Sequence, residues 1–535
     1  MKREQRHSRN TKQNKRYSAK QKYNTPLCDD KMTFEDCELA ILRHAVDETD
    51  ILQKQKIANS DDVKQMIQIL ENFLIRKKLI CYGGTAINNI LPKYAQFYDR
   101  DIEVPDYDFF SQNALEDAKE LSDIFYAAGY LETEAKSGVH KGTYKVFVNY
   151  IPMADITQLH SDIYRSIGKE TITIAGIRYC PPNYLRMSMY LELSRPAGDV
   201  SRWEKVLKRL TLLNKYYPLV PPFDCHTIDF QRDAETLDAS DSQRVYFSVR
   251  DSFIEQGVVF FGGYASSLYS KYMDASQQKL IRQIPDFDVL AEDPERSALI
   301  IKERLEEIGF KTVQTVNHGS LDDVIPEHIE VRIGKETVAF IFKPIACHNY
   351  NTIQIGNKEI NVATIDTMLS FYLAFIYADK EYFDSNRILC MAKFLFEVEQ
   401  KNRLEQRGLL KRFSISCYGK QPTLESIRAE KAEKFKELVH KRNSAEWNAW
   451  FFKYSPGATV ATTAATTATK GKKREKSITR KSVVELLDSS VNARKKTQKK
   501  YKSIEKQENQ ENQTDNREPK SKSRNILQKI LGIGM

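Results

Sequence analysis

At 535 residues the chain is long enough for two or three domains, and a 41% hydrophobic content supplies ordinary globular cores. No apolar run approaches the ~18–20 residues of a membrane span, and no apolar stretch follows the basic N-terminus as in a secretory signal. The eight cysteines form no C-x-x-C pair and no Cys/His cluster, which argues against a zinc site and a disulfide framework and for reduced thiols in a cytosol-like compartment.

Residues 1–25 hold nine Lys/Arg and one Glu with almost nothing to bury, so a disordered basic tail is expected. Apolar spacing over 61–77 (Val63, Met66, Ile67, Leu70, Phe73, Leu74) predicts a helix. A buried strand, Leu79–Tyr82, leads into Gly83-Gly84-Thr85 and a short helix to Ile90. After a loop, a strand carries Asp106-Tyr107-Asp108-Phe109-Phe110. A helix follows over about 112–128, then strands near 130–136, 142–150 and 152–158. Helices are expected around Tyr184–Leu193 and Ser201–Leu213.

The pattern then repeats. A helix over about 242–256 precedes a strand, Val258–Phe261, then Gly262-Gly263-Tyr264 and a helix. A strand carries Asp286-Phe287-Asp288, followed by a helix over about 294–308 and strands near 310–316, 328–333 and 336–343. The glycine pairs are offset by 179 residues and the acidic pairs by 180, so one α/β unit occurs twice. Helical sequence closes the second unit at 364–400 and 425–440. From 456 the chain turns to Ala/Thr and then Lys/Gln/Asn/Glu low complexity, with nineteen Lys/Arg against eight Asp/Glu. An apolar patch, Ile526–Ile533, lies near the end. The net +10 therefore sits on the tails, which attract polyanions, while 26–455 carries about −9. The expected divisions are a basic tail (1–25), a first domain (26–225), a second domain with a helical end (226–455) and a low-complexity tail (456–535).

A glycine pair between strand and helix brings backbone close to a ligand, and the helix that follows aims free N–H groups at that spot, an arrangement suited to phosphate. Thr85 is positioned to cap the helix or donate to a phosphate oxygen. Asp106 and Asp108, at i and i+2 on a strand, share one face. Their mutual repulsion is relieved by a divalent cation, and such carboxylates with bridging phosphates suit Mg²⁺. A third carboxylate from a neighbouring strand completes a two-metal site. Asp155, flanked by Ala154 and Ile156, is the candidate, with Asp162 as the second choice. Arg178, Tyr179, Asn183, Tyr184 and Arg186 are equally consistent with a base-binding surface and with an ordinary helix start after Pro181-Pro182.

Gly83-Gly84-Thr85, a helix, Asp106-x-Asp108, a helix and a strand Asp together resemble the polymerase β-type nucleotidyltransferases. The longer string CYGGTAINNILP…VPDYDFFS is similar to the poly(A) polymerase catalytic subunits of large nucleocytoplasmic DNA viruses, mimivirus type, over about 58–400. The resemblance implies an α+β fold of two tandem nucleotidyltransferase units, each a mixed sheet with helices. It implies AMP transfer from ATP to the 3′ end of single-stranded RNA with two Mg²⁺ (or Mn²⁺) ions. Asp106, Asp108 and Asp155 match the metal-binding catalytic carboxylates, and Gly83, Gly84 and Thr85 the nucleotide-binding loop. It further implies a homodimer or a processivity subunit, and action in host cytoplasm at the viral factory with packaging into virions. The second unit lacks the third carboxylate, since Ala339–Lys343 has none, and Tyr264 replaces the hydroxyl. It is therefore read as an inactive copy serving as scaffold or RNA surface. The competing readings are an oligoadenylate or second-messenger synthase, which shares the carboxylates, and a non-catalytic RNA-binding scaffold.

Overall fold

The computed structural model describes residues 23, 25–228, 237–280, 286–442 and 444–457. The expectations for 1–22, the Ala/Thr run from 461 and the patch at 526–533 lie outside these residues.

The described residues divide into two compact units. The smaller comprises those up to Lys64 together with Asp99–Val104. It is built on a 25-residue helix, α1 (Phe34–Ala58), started by a reciprocal capping box between Thr33 and Asp36. The sequence reading missed α1 because nearly all its side chains are solvated and leave little apolar periodicity to detect. The Asn59 side chain ends it by donating to the carbonyls of Gln55 (3.0 Å) and Asp101 (2.9 Å).

Both repeats lie in the larger unit. The first runs α2 (Asp61–Lys77, entering from the smaller unit), β1 (Ile80–Tyr82), α3 (Gly83–Ile90), β2 (Tyr107–Ser111), α4 (Ala114–Ala127), β3 (Thr133–Ser137), β4 (Thr143–Val148), β5 (Ile151–Gln158), α5 (Ser161–Lys169), β6 (Ile172–Ile174), β7 (Ile177–Tyr179), α6 (Pro182–Leu193) and α7 (Trp203–Tyr216). The second runs α8 (Ala239–Gln256), β8 (Val259–Phe260), α9 (Gly263–Tyr269), α10 (Ala275–Gln278), β9 (Phe287–Leu290), α11 (Pro294–Glu307), β10 (Val313–His318), β11 (His328–Ile333), β12 (Glu336–Phe342), β13 (His348–Ile355), β14 (Lys358–Ala363), α12 (Ile365–Ile376) and α13 (Ser385–Lys401). The chain continues through β15 (Cys417–Tyr418), α14 (Leu424–Leu438), α15 (Ala445–Phe451) and β16 (Lys453–Tyr454).

The strand order is β16-β3-β4-β5-β2-β1-β7-β6 in one sheet and β10-β11-β12-β9-β8-β14-β13-β15 in the other. Seven strands correspond one to one. The central pairs β2·β5 and β9·β12 are parallel, and β1·β7 and β8·β14 are parallel in the same places. Even the register shift recurs, at Val146/Phe147 in one sheet and Val331/Arg332 in the other. The mixed-sheet expectation is thus met, and the repeat extends further than the sequence reading took it, through the hairpins β6–β7 and β13–β14. Those hairpins carried a legible signal: Ala175-Gly176 turns with φ of 51° and 85°, and Gly356 with φ of 60°.

The helices after the sheets, α6 and α12, pack on each other, with Tyr184 and Tyr377 rings 5.4 Å apart. Asn349 N–H donates to the Ser194 carbonyl at 2.8 Å across the same seam. After α15 the chain returns to the first sheet, where β16 pairs with β3.

The expectation of reduced thiols is corrected. Cys28–Cys37, Cys225–Cys390 and Cys347–Cys417 are bonded, with Cα atoms 5.3, 5.6 and 5.1 Å apart, and Cys81 and Cys180 are buried and free. Two of these pairings span 165 and 70 residues, so only the fold brings the partners together and spacing in sequence cannot reveal them. No helix among the described residues is long and apolar enough to cross a membrane.

Candidate active site

β2 and β5 run parallel in a register that sets Asp108 directly beside Asp155, and β4 sets Lys145 beside Asp155 on the other side. Residues paired in register point to one face, so the three side chains form a row. Asp106 stands just before β2 and is tied in by Thr85, whose buried hydroxyl donates to the Asp106 carbonyl at 2.5 Å. Thr85 is thus engaged with the backbone of the acidic strand and caps nothing; α3 has no side-chain cap.

Gly83 has φ of 71°, and a Cβ there would stand 2.5 Å from Asp108 Oδ2. A Cβ on Gly84 would stand 2.6 Å from the Tyr98 hydroxyl and 2.9 Å from Arg209 Nη1. Both glycines are required by close approach, one to the carboxylates and one to a cation. Arg209 donates to the Tyr98 hydroxyl at 2.5 Å and lies 5.0 Å from the centre of the Phe97 ring.

The electrostatics follow from the crowding. Asp108 is pushed up to about 7, first by burial, then by the charges of Asp106 and Asp155, against the pull of Lys145 and Arg202. Asp106 is raised too, by burial and then by Asp155, with Lys145 and Lys205 opposing. Lys145 Nζ is hydrogen-bonded to Asp155 Oδ2. It is one ammonium set among three carboxylates that remain short of positive charge. Their oxygens are hard donors of the kind a small divalent cation takes. Among the described residues no three His, Cys, Asp or Glu side chains are grouped so as to hold a metal ion.

Three cations were missed by the sequence reading. Arg202, Lys205 and Arg209 lie at i, i+3 and i+7, on one face of α7 and the 3₁₀ turn that precedes it, Val200–Arg202. Each acts on the site, Arg202 on Asp108, Lys205 on Asp106 and Arg209 at Gly84. That spacing is legible in the sequence, since residues at i, i+3 and i+7 share one helical face.

Other candidates fall elsewhere. Asp162 is paired with Arg165 and, at 3.5 Å, with Lys380. The base-surface reading of 178–186 gives way to packing. Arg186 is fully buried and bonded to Asn214, Asn183 and the Tyr217 carbonyl, while Tyr184 is buried and Arg178 holds the carbonyls of Lys78 and Gly168. Tyr179 is buried on β7.

The second sheet keeps the frame but not the row of carboxylates. Phe340 stands beside Asp288 where Asp155 stands beside Asp108, and Glu330 takes the place of Lys145. Asp286 has Arg387 at 3.7 Å. His318, His328, Tyr382 and Phe340 stack over that face, with His318 and His328 4.9 Å apart. Tyr264, which stands where the first unit has the Thr85 hydroxyl, turns its ring into the core against Phe260 at 4.7 Å.

Residues 68–199 match the family described as the poly(A) polymerase catalytic subunit. A provisionally named poly(A) polymerase catalytic subunit of African swine fever virus (isolate Pig/Kenya/KEN-50/1950) is 32% identical over 175 residues, 32% of this chain and 36% of that protein. Its counterpart from Acanthamoeba polyphaga mimivirus is 28% identical over 223 residues, 40% of this chain and 37% of that protein. The chain thus matches little more than a third of the length of these relatives. The Megavirus polyadenylate synthase has the same fold, with a TM-score of 0.67 at 18% identity over 85% of this chain and 93% of that one. Residues 68–199, which hold the glycine loop and all three aspartates, are similar to viral poly(A) polymerase catalytic subunits and are set in the fold of a viral polyadenylate synthase.

Proposed function

We propose that this protein is a template-independent polynucleotide adenylyltransferase that extends RNA 3′ ends with AMP from ATP. The observation that carries the reading is the row Asp108–Asp155 with Asp106 beside it, facing a glycine loop that tolerates no side chain. The free N–H groups at the start of α3, with Arg209 and Lys205, receive the triphosphate. Asp106 and Asp108 would hold a divalent cation at the nucleotide, with Asp155 toward the acceptor 3′-hydroxyl. Divalent ions, when bound, supply Lewis acidity to that hydroxyl and neutralise charge on the leaving pyrophosphate. The 3′-oxygen attacks the α-phosphorus of ATP, and the bond to pyrophosphate breaks. Lys145 holds the Asp155 carboxylate in its orientation. The action belongs to the host cytoplasm, with self-association or a second subunit supplying processivity.

The test is primer extension of a short single-stranded RNA with Mg²⁺ and each NTP separately. Extension with ATP alone is expected. Extension by no NTP, or ATP consumed without a longer RNA, would overturn the reading in favour of an RNA-binding scaffold or an oligoadenylate or second-messenger synthase. In the same assay Asp286→Asn/Asp288→Asn is expected to stay within about threefold of wild type, since Phe340 leaves those carboxylates without a third partner. A loss matching that of Asp106→Ala would show that the second sheet takes part in the chemistry.

A further inference from the structure

Gly84 meets a cation where Gly83 meets a carboxylate, and that cation is held from three elements. Arg209 stands in the middle of α7, with its guanidinium over the Phe97 ring at 5.0 Å and over the Tyr98 ring at 5.4 Å. Its Nη2 donates to the Tyr98 hydroxyl at 2.5 Å. Among the described residues it makes no ion pair; Glu192, which feels its charge through space, is committed to Arg202 at 3.1 Å. A guanidinium carries five N–H donors in one plane. Fixing one of them on a hydroxyl and the group on two rings sets the direction of the others. That direction is the glycine loop, where Nη1 stands 2.9 Å from the place of a Gly84 Cβ.

Phe97 and Tyr98 are held in turn by α3. Asn88, buried one turn after Gly84, accepts on its Oδ1 from the N–H of Phe97 at 2.7 Å and from that of Tyr98 at 2.9 Å. Its Nδ2 donates to Asn89 Oδ1 at 3.2 Å, and Asn89 Nδ2 donates to the Tyr179 hydroxyl of β7 at 2.9 Å. Further along α7, Tyr216 meets Tyr94 of the same segment, with ring centres 5.9 Å apart. The helix that offers its first N–H groups to a phosphate thus anchors, one turn later, the segment that aims the arginine. The second repeat lacks this arrangement: the atoms nearest a Cβ on Gly263 belong to Asp286.

We propose that Asn88 and Tyr98 are positioning residues that hold Arg209 in one orientation over the glycine loop, so that its remaining N–H groups meet a nucleotide phosphate already aligned. Pre-orientation of this kind removes the ordering cost that a long, free side chain carries into binding. The arginine makes the contact, and Tyr98 and Asn88 act through it. A planar, stacked guanidinium suits the role where a lysine ammonium, a point charge on a flexible stem, does not. The inference rests on the function proposed above in taking the glycine loop as the seat of the ATP phosphates.

The experiment is isothermal titration of the full-length protein with ATP and Mg²⁺ in the absence of RNA, for wild type, Tyr98→Phe, Arg209→Met and the variant carrying both changes. It is paired with ATP KM and kcat in primer extension. Arg209→Met is expected to weaken ATP binding about 30-fold, and Tyr98→Phe, which keeps the ring and loses the hydroxyl, about fivefold. The double variant is expected to bind no more weakly than Arg209→Met, because a residue that acts through the arginine then has nothing left to position. In primer extension the Tyr98→Phe loss is expected in KM, with kcat within about threefold, since the three aspartates are untouched. Asn88→Ala, which strands two backbone N–H groups, is expected to lower ATP affinity and melting temperature together; Tyr98→Phe leaves the backbone bonds in place and tests the same idea in a protein that melts like wild type. Unchanged ATP affinity in Tyr98→Phe, or losses that multiply in the double variant, would make the hydroxyl contact incidental and overturn the proposal, while extension by the wild type keeps the function. A wild type that binds ATP with the expected coupling and extends nothing would keep the positioning roles and remove the adenylyltransferase reading; a wild type that binds no ATP removes both.

Discussion

Asp108→Asn is expected to cost activity on the order of 10³-fold while making the protein more stable. The loss follows because a metal clamp at the reacting phosphate is worth several kcal/mol, and about 1.4 kcal/mol is a factor of ten. The gain follows from linkage. Asp108 ionises near 3.8 when unfolded and near 7 when folded. Folding is therefore penalised increasingly as pH rises from about 4 to 7, and fully above that. Three pKa units correspond to about 4 kcal/mol, of which about 1–2 is expected after allowing for solvent at the carboxylate. Asparagine keeps the shape, removes the charge and offers an N–H to its acidic neighbours. Scanning calorimetry should find the variant melting several degrees higher at pH 8, with the gap closing toward pH 5. Millimolar Mg²⁺ is expected to raise the melting temperature of the wild type and leave the variant nearly unmoved. Equal melting temperatures at pH 8 without metal would mean that the three carboxylates are not in electrostatic conflict.

Arg412→Met is expected to destabilise the fold by about 3–5 kcal/mol, the cost of leaving buried charge unpaired. The guanidinium forks onto Asp366 of α12 (2.8 and 2.5 Å) and reaches Glu399 of α13 at 2.7 Å, while Tyr190 of α6 donates to Glu399 at 2.5 Å. Asp366 and Glu399 are almost fully buried. The network ties the helix behind the first sheet to those behind the second. Burial and the Asp366 charge push Glu399 up, while the two carboxylates hold Arg412 firmly charged. Methionine fills much of the space and leaves two carboxylates without a cation. Buried charge without a cation is costly, so the deficit is largest at neutral pH and shrinks as pH falls and Glu399, already pushed up by burial, takes a proton. Urea unfolding at pH 7.5 and pH 5 measures this; a deficit independent of pH would mean that lost packing, not stranded charge, destabilises the variant.

Sequence alone determined the repeat and the type of most elements and pointed to the three aspartates, because these readings rest largely on local rules. Period-3.6 and period-2 apolar patterns mark helices and strands, and carboxylates two apart on a strand must share a face. The constant offset near 180 residues gave the tandem layout without any structure. Tertiary structure decided everything that depends on two distant segments meeting. It paired Cys225 with Cys390 across 165 residues and Lys145 with Asp155 across a strand pair. It engaged the Thr85 hydroxyl with the Asp106 backbone, and between a base-binding surface and an ordinary helix start for Arg178, Tyr184 and Arg186 it decided for packing. It set Phe340 beside Asp288, where the first sheet sets Asp155 beside Asp108. Local patterns record which face a residue takes; register, burial and charge neighbours are properties of the packed sheets, and no window of sequence contains them.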